Sequence, residues 1–241
     1  MALSDTEILN GIFSLIFCIM ATLTGLLIAS KYRKYKRNTL LYVGLSLLGL
    51  AFPWFPSSIS FLVALVNDVG LPPRIYFLIG NAFLPISLFL WMLALTELIF
   101  KKKQKIILII YAVTGIIFEI YFLYSLFTNY SVIGELKGPV DVQYYGITRL
   151  YLIFTLLTIL ITSSLFCIEC FKSDNAEIKL KGKFLQVGII LYTIGAIGDG
   201  FITLDFVTLP IIRIILITST IMFYNGWILP KAVKKLFLKE E

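Results

Sequence analysis

Seven apolar stretches separated by short polar connections organise the chain, at residues 7–30, 39–66, 75–100, 106–128, 150–171, 184–204 and 210–229. Each has at least about 20 residues, which at about 1.5 Å per residue crosses a hydrocarbon core of about 30 Å. The pattern predicts an all-α membrane protein, a seven-transmembrane helix bundle. Segment 129–149, the longest connection, is too short to bury a core of its own, so residues 1–229 are expected to form one domain and a fused catalytic domain is excluded.

Within that frame, prolines predict irregularity. Pro53 and Pro56 in the run Ala51-Phe-Pro-Trp-Phe-Pro56 remove two helical donors from the middle of span two. Span three starts after Pro72-Pro73 and carries Asn81 and Pro85 in its outer half. Two neighbouring spans that lose regularity at similar depth predict a gap between them, a purely structural kink being the alternative. In span six, Gly188 and Gly195-Ala-Ile-Gly198-Asp199-Gly200 place small residues where another helix can approach closely.

Composition agrees with the pattern: of 241 residues 59% are hydrophobic and 15% charged, with a mean hydropathy of +0.93. The formal charge of +7 changes the picture only through its positions. Lysines and arginines cluster at 31–37, 101–105, 172–183 and 231–239, all in alternate connections, whereas Arg74, Lys137 and Arg149 are the basic residues of the other side. The positive-inside rule then places the N-terminus outside and the C-terminus in the cytoplasm of a multi-pass protein of the cell membrane. The charge is read as topology and contact with the lipid bilayer, not nucleic-acid binding. Residues 230–241 are expected to form a basic cytoplasmic tail, with Val233, Leu236 and Phe237 on the apolar face of a short amphipathic helix.

Candidate chemistry is sparse. The chain has no histidine, so a Ser/His/Asp triad, a Cys/His pair and a histidine-bound metal are all unavailable. Cys18, Cys167 and Cys170 lie within spans and offer no outer disulfide, and a thiol pair without histidine makes a poor zinc site. We therefore expect no enzyme activity, cofactor or metal. Asn129-Tyr-Ser131 is a glycosylation sequon in the long outer connection.

Intramembrane charges carry more information, because each needs a reason to be there. Glu97 and Glu169 lie within a turn of the cytoplasmic ends of spans three and five. With Lys181 they are candidates for cytoplasmic coupling. Span six rises to Asp199 and span seven descends to Arg213, which puts the two at the same level and predicts a buried ion pair, with Asp205 as a competitor. Glu119 in span four lies just beyond the midplane. If it joins the pair, the cluster is net negative and favours a cation, a proton or an amine, a register-fixing structural pair being the alternative. Asn81, Glu119, Asp199 and Arg213 are thus the candidate ligand-binding residues, and Pro53, Pro56 and Pro85 the kink residues beside them.

Three seven-helix families bear comparison. Residues 210–229 contain no lysine for a retinal Schiff base, and Leu95-Thr-Glu97-Leu and Tyr224-Asn-Gly-Trp227 replace the motifs of rhodopsin-like G-protein-coupled receptors. Short loops, the start of span six at Lys179-Leu-Lys-Gly-Lys183 and a last span leaving through Trp227-Ile-Leu-Pro230 into a basic helix resemble the seven-transmembrane sensory region of prokaryotic histidine kinases and related receptor-like proteins. That resemblance, one of layout, implies a sensory protein binding a small ligand in the outer half of the bundle. The chain ends where the kinase would begin, so signalling would pass through a separate cytoplasmic partner or a homodimer. The alternatives are a small transporter of the parallel-repeat kind, suggested by Leu41-Tyr-Val-Gly44 and Leu185-Gln-Val-Gly188, and a structural membrane subunit without a ligand.

Overall fold

A computed structural model describes residues 3–202 and 204–238. Thr203 of span six and residues 239–241 of the tail, Lys239 among them, lie outside the described residues. Among the described residues ten α-helices run in chain order: α1 (Asp5–Tyr35), α2 (Asn38–Leu50), α3 (Phe55–Asn67), α4 (Pro73–Asn81), α5 (Leu84–Ile99), α6 (Gln104–Thr128), α7 (Gly146–Lys172), α8 (Ala176–Phe201), α9 (Thr208–Ile228) and α10 (Lys231–Phe237). Together they make an all-α fold with seven helical spans long and apolar enough to cross a membrane, the second built from α2 and α3 and the third from α4 and α5. The helices run several residues past the apolar stretches, notably at the start of α8, because their capping and charged end residues favour helix as readily as the apolar ones do. Ser4 caps α1 with a reciprocal bond to Glu7, and Asn175 caps α8 through the N–H groups of Glu177 and Ile178.

Both proline-bearing spans break. A 3-10 turn at Phe52–Trp54 separates α2 from α3, since Pro53 and Pro56 have no N–H to give to the preceding turn. The break leaves the Leu50 carbonyl free to accept from the Tyr192 hydroxyl at 3.1 Å. α4 and α5 part at Ala82–Phe83, ahead of Pro85.

Packing orders the spans in a ring: α1 lies against α2, α3 and α9, α2 against α5, α5 against α7, α7 against α8, and α8 against α9. Glycines set the closest approaches. Gly25 of α1 and Gly44 of α2 face each other backbone to backbone, and Gly188, Gly195 and Gly198 of α8 receive Met222, Leu216 and Ile212 of α9. Helix α6 stands outside this ring, packed on α5 and the near edge of α7, and it is the least buried of the seven spans.

Residues 129–145 are not a plain loop. They contain an antiparallel hairpin of β1 (Gly134–Leu136) and β2 (Val142–Tyr144), in which Glu135 faces Gln143. Ile133 and Val140 are fully buried, and the hairpin is tied down by Asn10 Nδ2 donating to the Val140 carbonyl (3.3 Å) and by Ser60 Oγ donating to that of Pro139.

Candidate functional site

Beneath the hairpin, the ring encloses a cavity of about 130 Å³. Its walls come from the break in span two (Pro53, Trp54), from α7 (Arg149, Thr155), from α8 (Tyr192, Asp199, Gly200) and α9 (Arg213), and from the hairpin (Asp141, Tyr144). For scale, a cavity of about 150 Å³ holds one benzene molecule.

One wall is a charged network. Arg213, 2% exposed, forms an ion pair with Asp199, Nη2 to Oδ1 at 2.9 Å, and donates from Nη2 to Asn10 Oδ1 at 2.8 Å. The other Asp199 oxygen accepts from the Trp54 indole N–H at 2.6 Å, and Asn10 also accepts from Ser14 (3.2 Å). The ion pair expected from the levels of spans six and seven forms, held in place by an asparagine and a tryptophan that levels alone do not reveal. Arg213 keeps two buried donors, Nε and Nη1, without a partner among the described residues. Asp205 does not compete for it; its carboxylate caps the start of α9 through the N–H groups of Val207 and Thr208 and the Thr208 hydroxyl.

The remaining candidates are placed differently. Glu119 does not line the cavity, because α6 stands outside the ring; one of its oxygens is buried without a hydrogen-bond partner among the described residues. The net-negative cluster expected from Glu119 is therefore not assembled. In its place the cavity lining is balanced, with Asp141 and Asp199 against Arg149 and Arg213. Asn81 supports the wall from behind, donating to the Phe77 carbonyl (3.0 Å) and to the Tyr144 hydroxyl (3.3 Å). Of the kink prolines, Pro53 lines the cavity, whereas Pro56 packs against Gly80 and Pro85 against Gly115. At the far end of the bundle, Glu97 accepts from Thr39 (3.3 Å), Glu169 pairs with Lys172 (2.7 Å) and Lys181 with Glu177 (3.2 Å).

Asp141 gives the cavity a titratable edge. Desolvation raises its carboxyl above the ordinary 3.8, and the Asp199 charge adds to that, against the Val142 N–H, Arg213 and Lys137. Desolvation likewise pushes the Tyr144 hydroxyl far up, so it acts as a neutral hydrogen-bonding group. A carboxyl with a raised folded value binds its proton more tightly in the folded state, so its contribution to stability is present at low pH and is lost as pH rises through that raised value. Asp141→Asn is expected to flatten this part of the stability profile, checked by thermal denaturation between about pH 4 and about pH 7.

The floor is made by Leu50, Ile159 and Tyr192, which also border a second cavity of about 20 Å³ with apolar walls. Beyond it Trp91 donates to Thr162 (3.0 Å) between α5 and α7, and Phe166 is stacked on Trp227. Two of the cysteines, Cys167 and Cys170, are buried in this half, and Cys18 is buried beside Ser58. Among the described residues no group of histidine, cysteine, aspartate or glutamate is placed to hold a metal ion. No family model matches the chain, and no curated protein or solved structure matches it.

Proposed function

We propose that this chain is a receptor-like membrane protein, N-terminus outside and C-terminus cytoplasmic, that binds a small zwitterionic molecule in the cavity under the hairpin. The reading rests on one observation above all: a cavity walled by two carboxylates, two guanidinium groups and three aromatic side chains. A ligand carrying one charge would unbalance that wall, whereas one carrying both signs can set its anionic end toward Arg149 and Arg213 and its cationic end toward Asp141 and Asp199. The volume suits a ligand on the order of six to eight heavy atoms. The lysine-rich connections support the orientation, and signal would leave as a movement of α8, the helix that carries Asp199 at one end and Lys181 at the other, toward a separate cytoplasmic partner. The proposed protein has no catalytic activity of its own.

Glycine, β-alanine and γ-aminobutyrate, tested against acetate and methylammonium on the lipid-reconstituted protein, make the reading measurable. At least one zwitterion should raise the melting temperature where neither single-charge probe does. Asp141→Asn and Arg149→Gln should each weaken that binding about tenfold, or about 1.4 kcal/mol. Equal response to all five probes, or to none, would remove the zwitterion assignment.

A further inference from the structure

A second built feature lies at the opposite, lysine-rich end and is independent of the cavity. Helix α9 stops where Leu229 takes a left-handed conformation (φ 46°) ahead of Pro230, and the chain turns back so that α10 lies beside the start of α8. Two contacts hold it there. Lys234 reaches Glu177 at 2.7 Å, and the ring of Phe237 meets that of Phe184 edge-on at 5.5 Å. Between α8, α9 and α10 this leaves an open groove of about 460 Å³.

The groove has a polar end and an apolar run. Lys179, Lys183 and Val187 follow one another at four-residue spacing along α8, a single stripe about 12 Å long. The two ammonium groups sit at its start, and Phe184, Val187, Met222 and Phe237 line the rest. Glu177, the nearby acid, is already paired with both Lys181 and Lys234, so it does not neutralise the stripe. Among the described residues neither Lys179 nor Lys183 has an ion-pair partner. The apolar part opens sideways, with Val187 46% exposed, at the level where span six becomes continuously apolar.

We propose that this groove is a site for one anionic glycerophospholipid, its phosphate between Lys179 and Lys183 and an acyl chain along Val187 and Met222. Paired cationic groups at headgroup depth above an apolar channel match the two parts of that molecule, and basic pockets beside membrane helices favour anionic headgroups. A protein segment would have to displace lipid from the same apolar wall without a charge pattern of its own to match. Phe237 forms one wall, so the bound lipid would also hold α10 against α8, linking the leaflet's composition to the position of the tail.

Native mass spectrometry of the full chain with equimolar phosphatidylglycerol and phosphatidylcholine tests this directly. One phosphatidylglycerol should be retained in about tenfold preference, as two nearby lysines imply. The double variant Lys179→Gln/Lys183→Gln should abolish the preference, whereas Lys102→Gln/Lys103→Gln, which removes equal charge at the same end, should keep it. Phe237→Ala should lower retention of phosphatidylglycerol by removing a wall. Equal retention of the two lipids, a preference that survives in the Lys179/Lys183 variant, or displacement by inorganic phosphate alone would overturn the site. The last result would mark it as a simple anion site, and the second as diffuse attraction to the lysine-rich end.

Discussion

Arg213→Met is expected to destabilise the bundle by about 3–5 kcal/mol, the range for removing one partner of a buried charge pair. The guanidinium is 2% exposed and joins three helices, linking Asp199 of α8 and Asn10 of α1 to α9. Its loss would leave the Asp199 carboxylate, 19% exposed, with the Trp54 indole as its remaining short contact. Asp199→Asn should cost less, because the amide oxygen still faces one of the two groups, Trp54 or Arg213, that meet separate carboxylate oxygens in the parent. Replacing both partners by apolar residues, Arg213→Met with Asp199→Leu, should recover much of the loss, since the desolvation cost then disappears with the charges. Unfolding free energies from denaturant titration in mixed micelles would check all three. A single Arg213→Met variant within about 1 kcal/mol of the parent would show that the pair does not hold the ring together.

Gly44→Val should be similarly damaging, at about 3 kcal/mol, the upper part of the range for overpacking. A Cβ on Gly44 would run into the Gly25 carbonyl and the Ala29 amide of α1. Backbone atoms cannot swing aside as a side-chain tip can, so the two helices would have to separate along their whole contact. Gly200→Ala provides the contrast. A Cβ there meets nothing within 4 Å because Gly200 borders the cavity, and the change should be neutral or stabilise by up to about 1 kcal/mol through helix propensity. If both substitutions had the same effect, helix propensity rather than close approach would be governing these positions. Thermal denaturation of the two variants in the same detergent separates the cases.

Much of the architecture is written along the chain because a membrane span makes one demand that composition can answer, about 20 apolar residues in a row. The proline positions announced the breaks in spans two and three, since a missing N–H acts on its own turn whatever surrounds it. The level of Asp199 with Arg213 followed from helical rise alone. The same reasoning misplaced Glu119. Position along a helix axis says nothing of which way that helix is turned or where it stands in the ring, and α6 stands outside. Nor did any local signal announce Asn10, which meets Arg213 across 203 positions of sequence.

The connection at 129–145 shows the same division. Its sequence lacks a strong strand pattern, yet Val142 and Tyr144 become cavity wall because the bundle top offers Asn10, Ser60 and Asn81 as fixed partners. The sequence by itself determined the number of helical spans long and apolar enough to cross a membrane and the alternation of basic connections between them, because these depend on the composition of each segment. Only the tertiary structure decided which charges share a cavity, that their sum there is zero, and that the tail folds back beside α8. Those depend on helix rotation and ring order, which are set by packing among residues far apart in the chain.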